Sequence, residues 1–220
     1  MFNTTGLSTT DTLPYRMALV VNSNEHIIAG FVDGVLSVPI NLGYLAYDML
    51  DTDSKYEKDN DKIRLMYLIK NGGANKESIY EIISTVLDKY ISSLSDEQKE
   101  KLWEKIIAQQ LGKIGANSLI FGHMNKVLIS RIVSRMIFSI SMSFLLTAGA
   151  MQSRAVYSSR ELLVRNPKLY WELRSKGDLD LLYVFVESYV KPFEEAENLK
   201  KVNQVMFDQV FEQFLPMVKD

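Results

Sequence analysis

The amino-acid sequence predicts an all-α protein, folded as a single multi-helix bundle over residues 1–220. Three observations lead to this prediction. Apolar residues recur at intervals of three and four in several segments, as in helices with one buried face. Helix start signals precede several of these segments. The alternating pattern of β-hairpins does not recur in the sequence. We expect hydrophobic helices at about 127–151 and 27–47 in the centre, wrapped by amphipathic helices.

The composition is that of a folded chain and limits the function classes. Hydrophobic residues make up 47% and charged residues 24%, outside the range of disordered chains. The net charge of −2 does not support nucleic-acid binding. Because the chain contains no cysteine, disulfides and thiolate metal sites are excluded. Two histidines are too few for a histidine-rich metal centre, so we predict no metal and no cofactor.

The first residues of the chain predict a flexible polar lead-in over residues 1–14, followed by a short apolar run at 17–21. A secretory signal has a basic start and a continuous apolar core. Here the first basic residue is Arg16, so we expect no signal peptide. If the protein leaves its cell, a route other than a cleaved signal must carry it.

Residues 27–47 form the first unusually apolar segment, with Asp33 as the only charge. Pro39 should kink or break a helix here. Gly30 and Gly34 are four residues apart, which would let a second helix approach closely. Two interpretations stay open, a kinked pair of buried helices and a segment that enters lipid. Residues 48–62 are dense in charge and predict a solvated loop.

Three amphipathic or capped helices should follow the loop. A short helix at 63–70 should end at Asn71-Gly72-Gly73. Residues 76–92 then show helical spacing of apolar side chains, and Ser95 to Gln98 form a capping box that opens the next helix. The expected apolar positions of the two longer helices are Ile79, Ile82, Ile83, Val86, Leu87, Tyr90, Ile91, Leu102, Trp103, Ile106, Ile107 and Leu111.

Residues 127–151 are the segment around which we expect the bundle to be organised. Residues 136–153 carry no charge, and Arg135 and Arg154 stand at the two ends. As one helix the uncharged run would be roughly 27 Å long, slightly short of the about 30 Å of a bilayer's hydrocarbon core. Arg131 and Arg135 share a helix face, whereas Ser139, Ser143 and Thr147 are distributed around the helix.

The C-terminal third predicts conventional helices. Asn166-Pro167 is an N-cap followed by proline at the first helical position. Asp178 should cap the next helix, whose run at 181–186 must be buried, and Pro192 should separate it from a last amphipathic helix. We expect Glu194 and Glu195 in the solvated first turn of that helix. Its predicted inner face comprises Leu199, Val202, Val205, Met206, Val210 and Phe214.

No catalytic residue is predicted from the sequence. Glycine-rich nucleotide loops, the His-Glu-x-x-His zinc motif and the Gly-x-Ser-x-Gly elbow are missing from it. A carboxylate site in a helical enzyme leaves only a weak sequence signature, so an enzyme stays an alternative.

The chain resembles small pore-forming antibacterial toxins, the class that includes channel-forming colicins and ion-conducting type VI effectors. The resemblance lies in hydrophobic helices, at 27–47, 111–125 and 127–151, that an amphipathic coat keeps soluble. It covers roughly residues 27–153. The chain departs from colicins in lacking their long receptor and translocation regions, and in Asp33 and Pro39 within an apolar segment.

The resemblance implies a toxin that is soluble in the bacterial cell that makes it and that a specialised secretion system delivers to the inner membrane of a target cell. It implies three partners, which are the lipid bilayer, a cognate immunity protein and further copies of the chain when inserted. The residues expected to insert or to line a pore are Asp33, Gly30, Gly34, Arg131, Arg135, Ser139, Ser143 and Thr147. The alternatives are a soluble all-α binding protein, such as an immunity protein, adaptor or chaperone, and an integral membrane protein with two or three short spans.

Overall fold

All regular secondary structure in the described residues is helical, which confirms the all-α prediction. The structure is a computed structural model that describes residues 12–22, 55–107, 126–127, 129 and 149–219. Every regular element in these residues is an α-helix or a 3₁₀ helix. The bounds are α1 Leu13–Asn22, α2 Lys55–Lys70, α3 Lys76–Ser93, α4 Asp96–Ile107, α5 Gly149–Arg165, α6 Pro167–Ser175, a 3₁₀ helix Leu179–Phe185, α7 Glu187–Val202, α8 Gln204–Phe214 and a 3₁₀ turn Leu215–Met217.

The chain divides into two compact units, each assembled from separate stretches of sequence. The first unit comprises Met1–Asn24, Ser84–Arg135 and Ser188–Asp220, and the second comprises Glu25–Ile83 and Met136–Glu187. The single domain expected from the sequence stays a prediction. The hydrophobic helix expected at 27–47 lies outside the described residues, and so does most of the one expected at 127–151.

The first unit has an aromatic core. The ring of Tyr90 on α3 packs edge-on against Phe193 of α7 at 5.2 Å and Phe207 of α8 at 6.3 Å between centroids. Phe193 in turn packs against Phe214 at 6.4 Å. Helix α1 packs on α8, and the Asn22 side chain donates to the carbonyl of Met217 at 2.6 Å.

The second unit is built around α5, which packs against α2, α6 and the 3₁₀ helix Leu179–Phe185. Its core is mainly aliphatic, although Tyr170 and Tyr183 are also buried in it. The buried side chains include Leu65, Ile79, Leu162, Leu169, Leu173, Leu181 and Leu182. The run at 181–186 is buried as predicted, except that Phe185 is partly exposed.

Helices α3, α4 and α6 follow the sequence prediction closely. All seven apolar positions expected for α3, from Ile79 to Ile91, are buried. The capping box of α4 is present, because Gln98 N–H donates to Ser95 Oγ at 3.1 Å and Ser95 N–H donates to Gln98 Oε1 at 3.0 Å. Asn166 caps α6 by accepting a hydrogen bond from Leu169 N–H at 3.2 Å.

The charged loop predicted at 48–62 is wrong for its second half, because α2 begins at Lys55. Residues 48–54 lie outside the described residues. The charged run looks solvated in the sequence, but Lys58 and Asp61 are buried. They have partners at distant positions in the sequence, which local pattern does not reveal. The lead-in predicted at 1–14 is also too long by two residues, since α1 begins at Leu13, with Pro14 at its second position, which tolerates proline.

The helix predicted to start at Asp178 differs in the structure. Asp178 adopts a left-handed conformation and its side chain makes no cap, and a 3₁₀ helix follows it. Pro192 does not end a helix, because α7 continues through it. Pro192 is the sixth residue of α7, so it removes one backbone hydrogen bond and crowds the carbonyl four residues earlier. The neighbouring residues Tyr189, Val190 and Phe193 are buried and help to hold the helix in place.

The inner face predicted for the last helix is wrong at three positions. Val202, Val205 and Met206 are exposed, whereas Phe207, Phe211 and Phe214 are buried. Asn203 interrupts the helix and caps α8 by accepting a hydrogen bond from Met206 N–H at 3.0 Å. The interruption resets the helical phase, so a pattern read continuously from Leu199 selects the wrong face. Glu194, expected in a solvated turn, is only 2% exposed.

Candidate functional site

The most concentrated group of charges among the described residues surrounds Arg64 of α2 in the second unit. Its guanidinium donates to three aspartates, at 2.8 Å from Nε to Asp178 Oδ1, 2.8 Å from Nη1 to Asp61 Oδ1 and 2.6 Å from Nη2 to Asp180 Oδ1. We call these four residues the Arg64 cluster. The Arg64 side chain is 14% exposed and that of Asp180 is 0% exposed.

Helix α5 closes the Arg64 cluster from a second direction. Ser159 Oγ donates to Asp180 Oδ2 at 2.6 Å, and Arg160 Nε donates to Asp61 Oδ2 at 3.1 Å. Both carboxylate oxygens of Asp180 and of Asp61 therefore accept from a protein donor. Such complete pairing is what allows carboxylates to be buried.

The backbone around Gly177 places two of the aspartates on one guanidinium. Gly177 has φ of +93° and Asp178 has φ of +63°, so two consecutive residues are left-handed after α6. A left-handed conformation costs energy in a residue with a Cβ, and aspartate tolerates it better than most. The turn directs Asp178 to Arg64, and the 3₁₀ helix that follows brings Asp180 to the same group.

The electrostatics of the Arg64 cluster follow from burial and charge. Burial alone would lower the pKa of Arg64, but the charge of Asp180 and the hydrogen bonds to the carboxylates raise it above its ordinary value. Burial raises the pKa of Asp180, and the Ser159 hydrogen bond and the Arg64 charge offset part of that rise. Arg64 therefore stays charged at neutral pH.

The Arg64 cluster is arranged to fix structure. Arg64 lies between three carboxylates, and the described residues contain no group of three or more His, Cys, Asp or Glu side chains suited to hold a metal ion. Both carboxylate oxygens of Asp61 and of Asp180 accept from Arg64, Arg160 or Ser159, and Asp178 accepts from Arg64 through Oδ1. The ion pairs and hydrogen bonds of the Arg64 cluster hold α2, α5 and the residues after Gly177 together.

The opposite face of α2 carries exposed apolar side chains. Tyr56 is 81%, Ile63 45%, Met66 54% and Tyr67 59% exposed. The buried face of the same helix holds Lys58 and Asp61 along with Leu65 and Leu68. Helix α2 therefore differs from an ordinary surface helix, in which most apolar side chains face the core, because it carries apolar side chains on both faces. We call the exposed residues Tyr56, Asp59, Ile63, Met66 and Lys70 the α2 seam.

The site residues expected from the sequence lie outside the described residues, so the structure does not bring them together or separate them. They are Gly30, Asp33, Gly34, Arg131, Arg135, Ser139, Ser143 and Thr147. The sequence pattern did not predict the Arg64 cluster or the α2 seam. One signal was present, because Asp61 and Arg64 are three residues apart and can pair on one helix face.

No helix in the described part of the chain has both the length and the apolar character needed to cross a membrane. Comparison of the chain with protein-family models, with curated proteins and with solved structures gives no match.

Proposed function

We propose that the protein is an antibacterial toxin that acts on the inner membrane of a target cell by inserting hydrophobic helices and conducting ions. One observation carries the proposal, namely the uncharged run at 136–153 with Arg135 before it and Arg154 after it. The segment at 27–47, with Asp33 as its only charge, adds a second stretch of the same character.

The described helices support the proposal as the amphipathic coat that it requires. Helices α3 and α4 bury one face and expose charges on the other. Such a coat would keep hydrophobic helices in solution until they meet a bilayer. Exchange of protein contacts for lipid contacts then costs little, since both surroundings are apolar.

The charged residues of the apolar segments define the expected pore. Asp33, Arg131 and Arg135 would be costly in contact with lipid tails, so they face a water-filled lumen or the headgroups. Ser139, Ser143 and Thr147 supply hydroxyls to the same lumen, and Gly30 and Gly34 allow close helix packing. Several copies insert together, a specialised secretion system delivers the protein, and a cognate immunity protein protects the producing cell.

The test is conductance of a planar bilayer of phosphatidylethanolamine and phosphatidylglycerol after addition of the purified chain. We expect discrete current steps for the wild type and their loss in Leu146→Asp, which places a charge in the uncharged run. Val164→Asp is the matched control, because Val164 is 85% exposed on α5 and should keep the conductance. Expression in a bacterium should collapse the membrane potential without lysis.

Absence of current over a range of pH and voltage, with no loss of potential in cells, would contradict the proposal. Equal loss of current in Val164→Asp would show that the effect does not arise from the apolar run.

A second candidate function is that of a soluble binding protein, such as an immunity protein, adaptor or chaperone. The exposed apolar residues of α2 favour it, because exposed apolar patches mark interaction surfaces. This candidate predicts cooperative thermal unfolding, no leakage from liposomes and no toxicity on expression, so the same experiments separate the two functions.

A further inference from the structure

The exposed face of α2 has the residue spacing of a coiled-coil seam. The α2 seam residues Tyr56, Asp59, Ile63, Met66 and Lys70 follow one another at intervals of three, four, three and four, and all five are exposed. This is the spacing of the a and d positions through which two helices interlock. The seam has an apolar centre, Ile63 and Met66, between an acidic residue and a basic residue.

The two charges of the α2 seam are placed symmetrically. A point between Arg64 and Leu65 is equally distant along the helix from Ile63 and Met66, and equally distant from Asp59 and Lys70. A two-fold axis through this point would pair the helix with an antiparallel copy of itself. Ile63 would then oppose Met66 of the second copy, and Asp59 would oppose Lys70 of the second copy.

The charges of Asp59 and Lys70 favour the antiparallel orientation of the two copies over the parallel one. In a parallel pair Asp59 would lie beside Asp59 of the second copy and Lys70 beside Lys70, so like charges would repel. In the antiparallel pair both ends of the seam carry opposite charges. A two-fold interface needs a surface that is complementary to itself, and the α2 seam meets that requirement. Neither Asp59 nor Lys70 forms an ion pair with another residue in the described part of the chain, and both remain accessible.

We propose that two copies of this chain associate through the α2 seam as an antiparallel, two-fold helix pair. Tyr67, which is exposed beside the seam, would flank the contact. The association is independent of the proposed function, since it uses only residues of α2.

The expected dimer is weak. The part of the seam between Asp59 and Lys70 is about 18 Å long at about 1.5 Å per residue. One helix pair of that length buries less than the roughly 800 Å² per partner of a standard interface. We therefore expect monomer and dimer to exchange in a concentration-dependent manner.

The decisive experiment is charge exchange on the full chain, followed by sedimentation equilibrium over a range of concentrations. Asp59→Lys alone and Lys70→Asp alone each create two like-charge contacts and should raise the dimer dissociation constant about tenfold. The double variant Asp59→Lys/Lys70→Asp restores opposite charges and should return the constant to the wild-type value. Glu100→Lys, an equal charge change at an exposed site on α4, is the control and should leave it unchanged.

Cross-linking tests the register independently. Since the chain has no cysteine, Ile63→Cys and Met66→Cys can be prepared separately and mixed under oxidising conditions. The antiparallel register predicts that the mixed disulfide forms faster than either like-with-like disulfide.

Three results would overturn the proposal. The first is a wild type that remains monomeric at every concentration. The second is a double charge exchange that fails to restore association, or a Glu100→Lys variant that weakens it equally. The third is a monomeric chain whose binding to phosphatidylglycerol vesicles is lost in Ile63→Asp, because the seam would then be a lipid-docking surface.

Discussion

Arg64 joins three aspartates that would otherwise repel one another, and Asp180, the most deeply buried of them, is 0% exposed. Removal of one partner of a buried ion pair leaves a charge without compensation, which typically costs about 3–5 kcal/mol. We therefore expect Arg64→Ala to lower the free energy of unfolding by that amount. Urea denaturation followed by circular dichroism measures the change.

The pH dependence of the stability lost in Arg64→Ala tests whether Asp180 is the origin of that loss. Burial already raises the pKa of Asp180 above its ordinary 3.8, and loss of Arg64 should raise it further. Above pH 3.8 the unfolded state releases the proton while the native variant retains it, so the stability of Arg64→Ala should fall as pH rises. Adding Asp180→Asn should remove most of this slope. A loss that is independent of pH, or unchanged by Asp180→Asn, would contradict the assignment.

Unlike the paired charges of the Arg64 cluster, the hydroxyl of Tyr90 is a buried polar group without a hydrogen bond, in the described part of the chain, to compensate for its burial. Its side chain is 0% exposed, and its hydroxyl has no hydrogen-bond partner within the described residues. Tyr90→Phe keeps the ring contacts with Phe193 and Phe207 and removes only this hydroxyl. We expect it to raise the free energy of unfolding by up to about 1 kcal/mol, measured by urea denaturation.

Tyr183→Phe is the matched control for Tyr90→Phe. The Tyr183 side chain is also 0% exposed, but its hydroxyl accepts a hydrogen bond from Arg165 Nη2 at 3.2 Å. Its removal should lower stability by about 1 kcal/mol. Destabilisation of similar size in both variants would mean that the Tyr90 hydroxyl has a partner after all.

At the scale of single helices, the sequence predicts those elements whose signals are local. Helix α3 has one apolar face and α4 opens with a capping box, so periodicity and caps identify both. The second half of α2 was predicted at 63–70, but its first half was taken for a solvated loop, because its buried face contains the charged residues Lys58 and Asp61. Two partners of Arg64, Asp178 and Asp180, are more than a hundred residues away along the chain. A local sequence pattern cannot predict such contacts.

The same distinction holds for the candidate site. The Arg64 cluster depends on the left-handed conformation of Asp178, a residue that the sequence presents as an ordinary helix cap. The wrong inner face of α8 has a related origin, since a single capping residue, Asn203, shifts the helical phase. The apolar segments that carry the proposed function were recognised from composition alone, which gives their character but not their partners.

The capping box of α4 offers a test at this scale. Ser95→Ala removes the acceptor for Gln98 N–H, and loss of an N-cap side chain typically costs about 1 kcal/mol. Ser95→Thr retains a hydroxyl and should lose a few tenths of that at most. Thermal unfolding, followed by the circular-dichroism signal of the helices, compares the stabilities of the two variants directly. Equal loss in both would argue against the cap as the source of stability.

At the scale of the whole molecule, the proposal requires a scaffold with closed cores beside segments that can move to lipid. The described helices fit the first half of that requirement. In the first unit Tyr90, Phe193, Phe207 and Phe214 form one aromatic core. In the second unit the Arg64 cluster links helices from distant parts of the chain. Both units should therefore keep their own cores while the apolar segments exchange protein for lipid.

The two tryptophans allow each core to be examined separately. Trp103 lies in the first unit and is 8% exposed, whereas Trp171 lies in the second unit and is 56% exposed. Acrylamide should therefore quench Trp171, observed in Trp103→Phe, several-fold more strongly than Trp103, observed in Trp171→Phe. The two quenching constants should converge in urea, where burial is lost. Equal quenching of both under native conditions would contradict the described packing of Trp103. If phosphatidylglycerol vesicles leave the quenching of Trp103 low, the core of the first unit survives contact with lipid, as the proposed scaffold requires.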